Sequence, residues 1–131
     1  MSAGYRAIEL AQIAARAAAA KLGQDIIALD ISERLAITDV FLIVSGANEP
    51  QVGAIVDHID EVLGRLGVRA ARREGEREGR WVLLDYLDLV VHVQHAEERT
   101  LYSLERLWKD APRLTLDLDG PLPLAAAPAL S

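Results

Sequence analysis

No cysteine occurs among the 131 residues, and that absence excludes disulfides, thiolate-ligated zinc and a cysteine nucleophile together. A reducing, cytoplasmic setting is compatible with it. Also missing is any apolar run suited to a membrane span or a signal-peptide core. Residues 5–23 look apolar at a glance, yet Arg6, Glu9, Gln12, Arg16 and Lys21 interrupt them. A soluble protein that stays where it is made is expected. Positive charge is scarce: 14 basic side chains stand against 20 acidic ones, for a formal charge of −6. That balance disfavours a broad phosphate-binding surface and makes a basic protein the better electrostatic partner. Arg69, Arg72, Arg73, Arg77 and Arg80 do cluster, but Glu74, Glu76 and Glu78 lie among them. The run reads as a solvated strand end and loop, with at most peripheral contact to RNA.

What is present suffices for one domain, since a chain of this length buries about two-thirds of the surface exposed by its unfolded form. Residues 4–22 are rich in alanine and end at Gly23, which predicts a first helix. Residues 25–32 and 38–46 read as strands, the second apolar from Val40 to Val44 and therefore central. Asn48, Pro50 and Gln51 have the spacing of a helix start with a capping box. Val52, Ile55, Val56, Ile59, Leu63 and Leu66 follow at helical period. A third strand is expected around residues 68–73, then a hairpin, then a last helix carrying Leu101, Leu104, Leu107 and Trp108. This order predicts a single α/β domain over residues 1–111, with a mixed sheet of about five strands and helices packed on it. Residues 112–131 hold Pro112, Pro121, Pro123 and Pro128 beside alanines, and read as a flexible tail whose removal after Ala111 leaves folding intact.

The hairpin is the informative segment. Residues 81–85 and 88–93 are strand candidates separated by Tyr86 and Leu87. Pairing Asp85 with Asp88 sets Trp81 opposite His92 and Leu83 opposite Val90. Alternation then places Trp81, Leu83, Asp85, Asp88, Val90 and His92 on one face, and Val82, Leu84, Leu89, Val91 and Val93 on the other. Both faces are apolar, so one needs a cover beyond the first helices, from this chain or from a partner.

A reaction centre is harder to build here. His92 lies four residues along an extended strand from Asp88, on the order of 13 Å, too far to share one metal. His95 reaches His92 only through a bend, and His58 sits on the polar side of its helix. "SGAN", residues 45–48, has one glycine, far short of a phosphate loop. "DLDG", residues 117–120, is an Asp-x-Asp pair among prolines and reads as a solvated loop. No nucleophile with an adjacent base emerges, and no cofactor or metal is implied.

Three stretches carry a resemblance: "DIIALDIS", "TDVFLIVSGANEPQVGAIVDHIDEVL" and "EGRWVLLDYLDLVVHVQHAEERTLYSLERLW". In this order and spacing they resemble the ribosomal silencing factor (RsfS, or Iojap) family, over residues 4–111. The resemblance implies a nucleotidyltransferase-like α/β fold without that class's catalytic carboxylates, hence a binder rather than an enzyme. It implies attachment to the large ribosomal subunit, on its protein uL-fourteen, where the small subunit docks. Subunit joining is then blocked sterically and translation falls when nutrients are short; organelle relatives act in large-subunit assembly. Two positions depart from the family pattern: Leu87 stands where the hairpin usually turns through glycine, and Gln94 where an aromatic or aliphatic residue is usual, giving a more polar rim. On this reading Trp81 anchors the contact. Leu83, Val90 and His92 share its face, Asp85 and Asp88 meet basic groups, and Tyr102 joins from the next helix. Leu83 and Val90 read nearly as well as core, and Trp108 reads as core. A homodimer of the free protein through the apolar face is expected. The competing reading is a residual nucleotidyl- or phosphotransferase using Asp85, Asp88 and the turn at Ser45 and Gly46.

Overall fold

The structure, a computed structural model, describes residues 3–122. Its elements are α1 (Tyr5–Ala20), β1 (Gln24–Asp30), β2 (Val40–Gly46), α2 (Glu49–Arg65), β3 (Arg72–Glu74), β4 (Trp81–Asp85), β5 (Leu89–His95), α3 (Ala96–Leu101), α4 (Leu104–Leu107) and β6 (Arg113–Leu114). The strands form one mixed sheet in the order β3-β4-β5-β2-β1-β6. Among the described strands, only the central β2–β5 pair is parallel. All seven residues of β2 are buried, as an uninterrupted apolar strand demands.

Helix α2 begins where its capping residues predict. Asn48 Oδ1 accepts from the Gln51 N–H (2.9 Å), and Gln51 Oε1 accepts in return from the Ala47 N–H (2.6 Å). Helix α1 buries Leu10 and six alanines, so its backbone lies close to α2 and the sheet. Together α1 and α2 cover one sheet face, where Val82, Leu84, Val91 and Val93 join Leu42, Val44, Ile55 and Ile59 in the larger core. The opposite face holds a second core of Leu29, Ile31, Phe41, Ile43 and Val90, covered by Leu104, Trp108 and Ala111 from the stretch after α3. The chain thus supplies part of the second cover itself.

The hairpin differs from its expected pairing by two residues. Trp81 pairs with Gln94, Leu83 with His92 and Asp85 with Val90. A slip of two leaves the strand side chains on their predicted faces, while Asp88, expected on the Trp81 face, moves into the turn. The turn proper is Leu87 and Asp88, because the Tyr86 N–H already donates to the Leu89 carbonyl (2.8 Å). Tyr86, just outside β4, is therefore bonded across the base of the turn. It is buried, and its hydroxyl donates to Asp60 Oδ1 on α2 (3.1 Å). Burial, then the Asp60 carboxylate, pushes its pKa well above the usual phenol value.

Leu87 takes φ +73° in this turn, a backbone angle that costs a Cβ-bearing residue about 1–2 kcal/mol. Its N–H donates to Asp85 Oδ1 (2.8 Å), and the Asp88 N–H to the Tyr86 carbonyl (3.0 Å), so the surrounding bonds hold the strained residue in place. Because Leu87 is exposed and buries little, Leu87→Gly is expected to raise stability by about 1 kcal/mol, read as a higher urea midpoint at unchanged slope.

The described part of the expected tail packs on the domain. Arg113 and Leu114 pair with Leu29 and Ala28 as the sixth strand, which the five-strand expectation did not include. Leu114, Leu116 and Leu122 lie against the larger core. Arg16 Nε donates to the Asp117 carbonyl (2.8 Å), and the Asp117 N–H to Gln12 Oε1 (3.0 Å). "DLDG" is thus a strap over α1. The expectation of a flexible tail from Pro112 fails for these residues because three leucines and an edge strand offset the ordering entropy; residues 123–131 lie outside the described residues. Truncation after Ala111 is accordingly expected to lower the melting temperature by more than about 5 °C, corresponding to roughly 1 kcal/mol or more.

Candidate functional site

The face of β4 and β5 turned away from α1 and α2 carries Trp81, Leu83, Asp85, Val90, His92 and Gln94. Trp81 is half-buried, and its Nε1–H donates to His92 Nδ1 (3.2 Å). An indole nitrogen only donates, so Nδ1 is unprotonated and the ring proton of the neutral imidazole sits on Nε2. Burial pushes the His92 pKa down to about 4, so the ring is uncharged at neutral pH. The edge of Phe41 packs on it, with ring centroids 4.7 Å apart.

Above Trp81 lies Tyr102, in the link between α3 and α4. Its ring centroid is 5.6 Å from that of the indole, with the planes 34° apart, and 54% of the residue stays exposed. The result is a surface of two neighbouring rings, flanked by half-buried Leu83 and resting on a neutral, buried histidine.

The predicted contact residues divide. Trp81, Leu83 and Tyr102 reach the surface. Val90 and His92 do not: they are 8% and 5% exposed, under the cover of Trp81, Phe41 and the α4 stretch, and so support the face from below. Asp85 is half-buried and spoken for, accepting from the Leu87 N–H and lying 3.4 Å from Arg72 Nε. Asp88 is exposed at the hairpin tip, where its carbonyl accepts from the Asp39 and Val40 N–H groups (3.0 and 3.1 Å). Gln94 is not a polar rim but fully buried, its Nε2 donating to the Tyr102 carbonyl (3.4 Å). Trp108 is half-buried against Phe41, centroids 5.7 Å apart, in the second core.

The features considered for chemistry have structural employment. Ser45 is buried, and its hydroxyl accepts from Arg99 Nη1 (2.7 Å); Asn48 caps α2. Among the described residues no group of three or more His, Asp or Glu is placed to hold a metal. Of the arginine cluster, Arg73 pairs with Asp60 and Glu76, Arg80 with Glu49, Glu97 and Glu98, and Arg72 with Glu74 and Asp85. Those three charges are largely matched within the chain.

Sequence reasoning passed over Arg99, only 7% exposed with five hydrogen bonds. It also passed over the break that splits the expected last helix at Tyr102 and Ser103. The break had a signal: Ser103 is an N-cap residue, and its hydroxyl accepts from the Arg106 N–H (3.3 Å). Because of it, Leu101 and Leu107 are 71% and 73% exposed instead of continuing the core stripe.

Comparison with known proteins agrees with the fold. The family described as "RsfS: Ribosomal silencing factor during starvation" matches residues 5–129. A protein of Bacillus subtilis named ribosomal silencing factor RsfS is 44% identical over 106 residues, covering 81% of this chain and 90% of that one. A mouse protein named mitochondrial assembly of ribosomal large subunit protein 1 is 28% identical over 88 residues, 65% of this chain and 39% of that one. A crystal structure from Bacillus halodurans superposes with a TM-score of 0.73 at 40% identity, covering 82% of this chain and 98% of that one. The open mixed sheet and these matches agree: the chain belongs to the ribosomal silencing factor family.

Proposed function

We propose that this protein represses translation by occupying the large ribosomal subunit, at its protein uL-fourteen, and so keeping the small subunit from joining. The observation that carries the reading is the exposed Tyr102 ring on half-buried Trp81 beside Leu83. An aromatic surface over a neutral, rigid floor is an anchor for a protein partner, and the net charge of −6 favours a basic one such as a ribosomal protein. Exposed Asp88 is the charge at the hairpin tip available to meet it, while Asp85 mainly shapes the turn. Blocking needs affinity and bulk, and no turnover.

The names of relatives support the ribosomal setting, and the mouse relative's name supports a further part in large-subunit assembly. No helix among the described residues is long and apolar enough to cross a membrane, which accords with action in the cytoplasm. When free, the protein shields the same face by pairing with a second copy.

Sedimentation with purified subunits tests the reading. The protein is expected to pellet with large subunits and not with small ones, and to reduce the joined fraction on a sucrose gradient. Failure to pellet, or pelleting with no effect on joining, would overturn it.

A further inference from the structure

Tyr102 is an exposed side chain on a short link, a position that ordinarily leaves a ring free to wander and makes its ordering a cost of binding. Here the link is clamped. Arg99, on α3, sends Nη1 to the Ser45 hydroxyl at the end of β2 (2.7 Å) and Nη2 to the Asp25 carbonyl in β1 (2.7 Å). Its Nε and Nη2 grip both oxygens of Glu105 on α4, at 3.0 to 3.2 Å. The two ends of the segment containing Tyr102 are therefore cross-linked to each other and to the sheet. Between them the Tyr102 N–H donates to the Glu98 carbonyl (2.8 Å), and its own carbonyl accepts from Gln94.

Burying a guanidinium is costly unless its donors are paired, and this one is used toward three separate chain segments. A lysine at the same place supplies one compact charge and cannot span the fork between Glu105, Ser45 and Asp25. The Glu105 carboxyl records the contact: burial pushes its pKa up, but the Arg99 hydrogen bond helps hold it below the usual value.

We infer that Arg99 is a positioning residue for partner docking, holding Tyr102 over Trp81 through its clamp on Glu105, Ser45 and Asp25. The inference rests on the docking reading above, yet the position of the ring is measurable without any ribosome.

In a Trp108→Phe background Trp81 is the remaining indole, and acrylamide quenching of its emission reports whether Tyr102 covers it. Arg99→Lys is expected to raise quenching toward the level of Tyr102→Ala while the far-ultraviolet dichroism is kept. In subunit sedimentation Tyr102→Ala is expected to weaken binding about tenfold and Arg99→Lys about fivefold, with the double variant no worse than Tyr102→Ala alone. Additive losses, or unchanged quenching in Arg99→Lys, would overturn the inference. If Arg99→Lys does not fold, Glu105→Gln cuts only the cross-link between α3 and α4 and is held to the same outcomes. Wild-type binding by Tyr102→Ala would instead sink the docking reading, and the positioning of the ring would then stand or fall on quenching alone.

Discussion

Trp81→Ala is expected to weaken binding to the large subunit by about thirtyfold or more, equivalent to roughly 2 kcal/mol. The indole does three things at once. It presents a half-exposed face, carries the Tyr102 ring at 5.6 Å and donates to His92 Nδ1. Losing it also costs folding stability, because the buried imidazole is left without its donor, a penalty of about 1–3 kcal/mol. That stays below the roughly 3–5 kcal/mol of a fully buried aromatic, and within what a domain with about 5–15 kcal/mol of stability survives. Affinity and melting temperature must therefore be measured together. Trp81→Phe separates the roles, since it keeps a ring under Tyr102 but has no Nε1–H; its binding is expected near wild type and its stability reduced. Asp57→Ala, at an exposed position on α2, is expected to change neither. A folded Trp81→Ala protein that binds the subunit like wild type would remove this face from the contact.

Acid is expected to destabilise the fold at a pH where most carboxylates are still ionised. His92 has a folded pKa of about 4 against about 6.5 for an unfolded histidine. Between those values the unfolded chain binds a proton that the folded chain refuses, so stability rises with pH across the window and falls as the solution is acidified. The loss amounts to about 2 kcal/mol between pH 7 and pH 5, and approaches roughly 3 kcal/mol near pH 4 before levelling off. His92→Phe keeps an aromatic ring against Phe41 and has nothing to titrate. Urea midpoints at pH 7 and pH 5 are expected to diverge in the wild type and nearly coincide in the variant. Carboxylates with lowered pKa values, such as Asp30 and Glu105, lose their contribution at lower pH. An unchanged acid slope in His92→Phe would show that they, and not the imidazole, carry the effect.

How legible this was depended on how local each determinant is. The start of α2 is written in Asn48 and Gln51, which satisfy backbone donors within four residues of themselves, and the structure follows. The hairpin's faces were legible because alternation survives a slip of two. Its pairing was not, because that depends on a leucine accepting φ +73°, and leucine is a poor signal for such a turn. A leucine plays the same part at the end of α1, which Gly23 marked to within two residues. There Leu22, at φ +64°, takes the left-handed conformation, while Gly23 is needed for close approach: a Cβ on it would lie 2.8 Å from Val44 Cγ1.

The candidate face itself was half legible. Apolar alternation marked Trp81, Leu83, Val90 and His92 as one row, but their depth is set by Trp108, Leu104 and Tyr102, which arrive from a segment whose helix breaks. Nothing near His92 in sequence says that it is covered. Arg99 had no signal of its own, since its partners Ser45 and Asp25 lie 54 and 74 positions away.

The parallel pairing of β2 with β5 has a kinetic consequence. Val40 meets Leu89 and Gly46 meets His95, so the middle of the sheet closes a loop of almost fifty residues that includes α2 and the hairpin. Loop-closure entropy must be met before that pairing gives anything back, which slows folding relative to helical bundles of the same size. During synthesis the N-terminal half, through α2, emerges with an apolar strand that has β1 on one side and an open edge on the other. That edge stays open until residue 95 is free of the ribosome making the chain. The β4–β5 hairpin is local and pairs quickly once its residues are out. The interval in which this chain is most prone to aggregate is therefore the one between completion of α2 and arrival of β5, and a slowed elongation rate over residues 66–95 lengthens it.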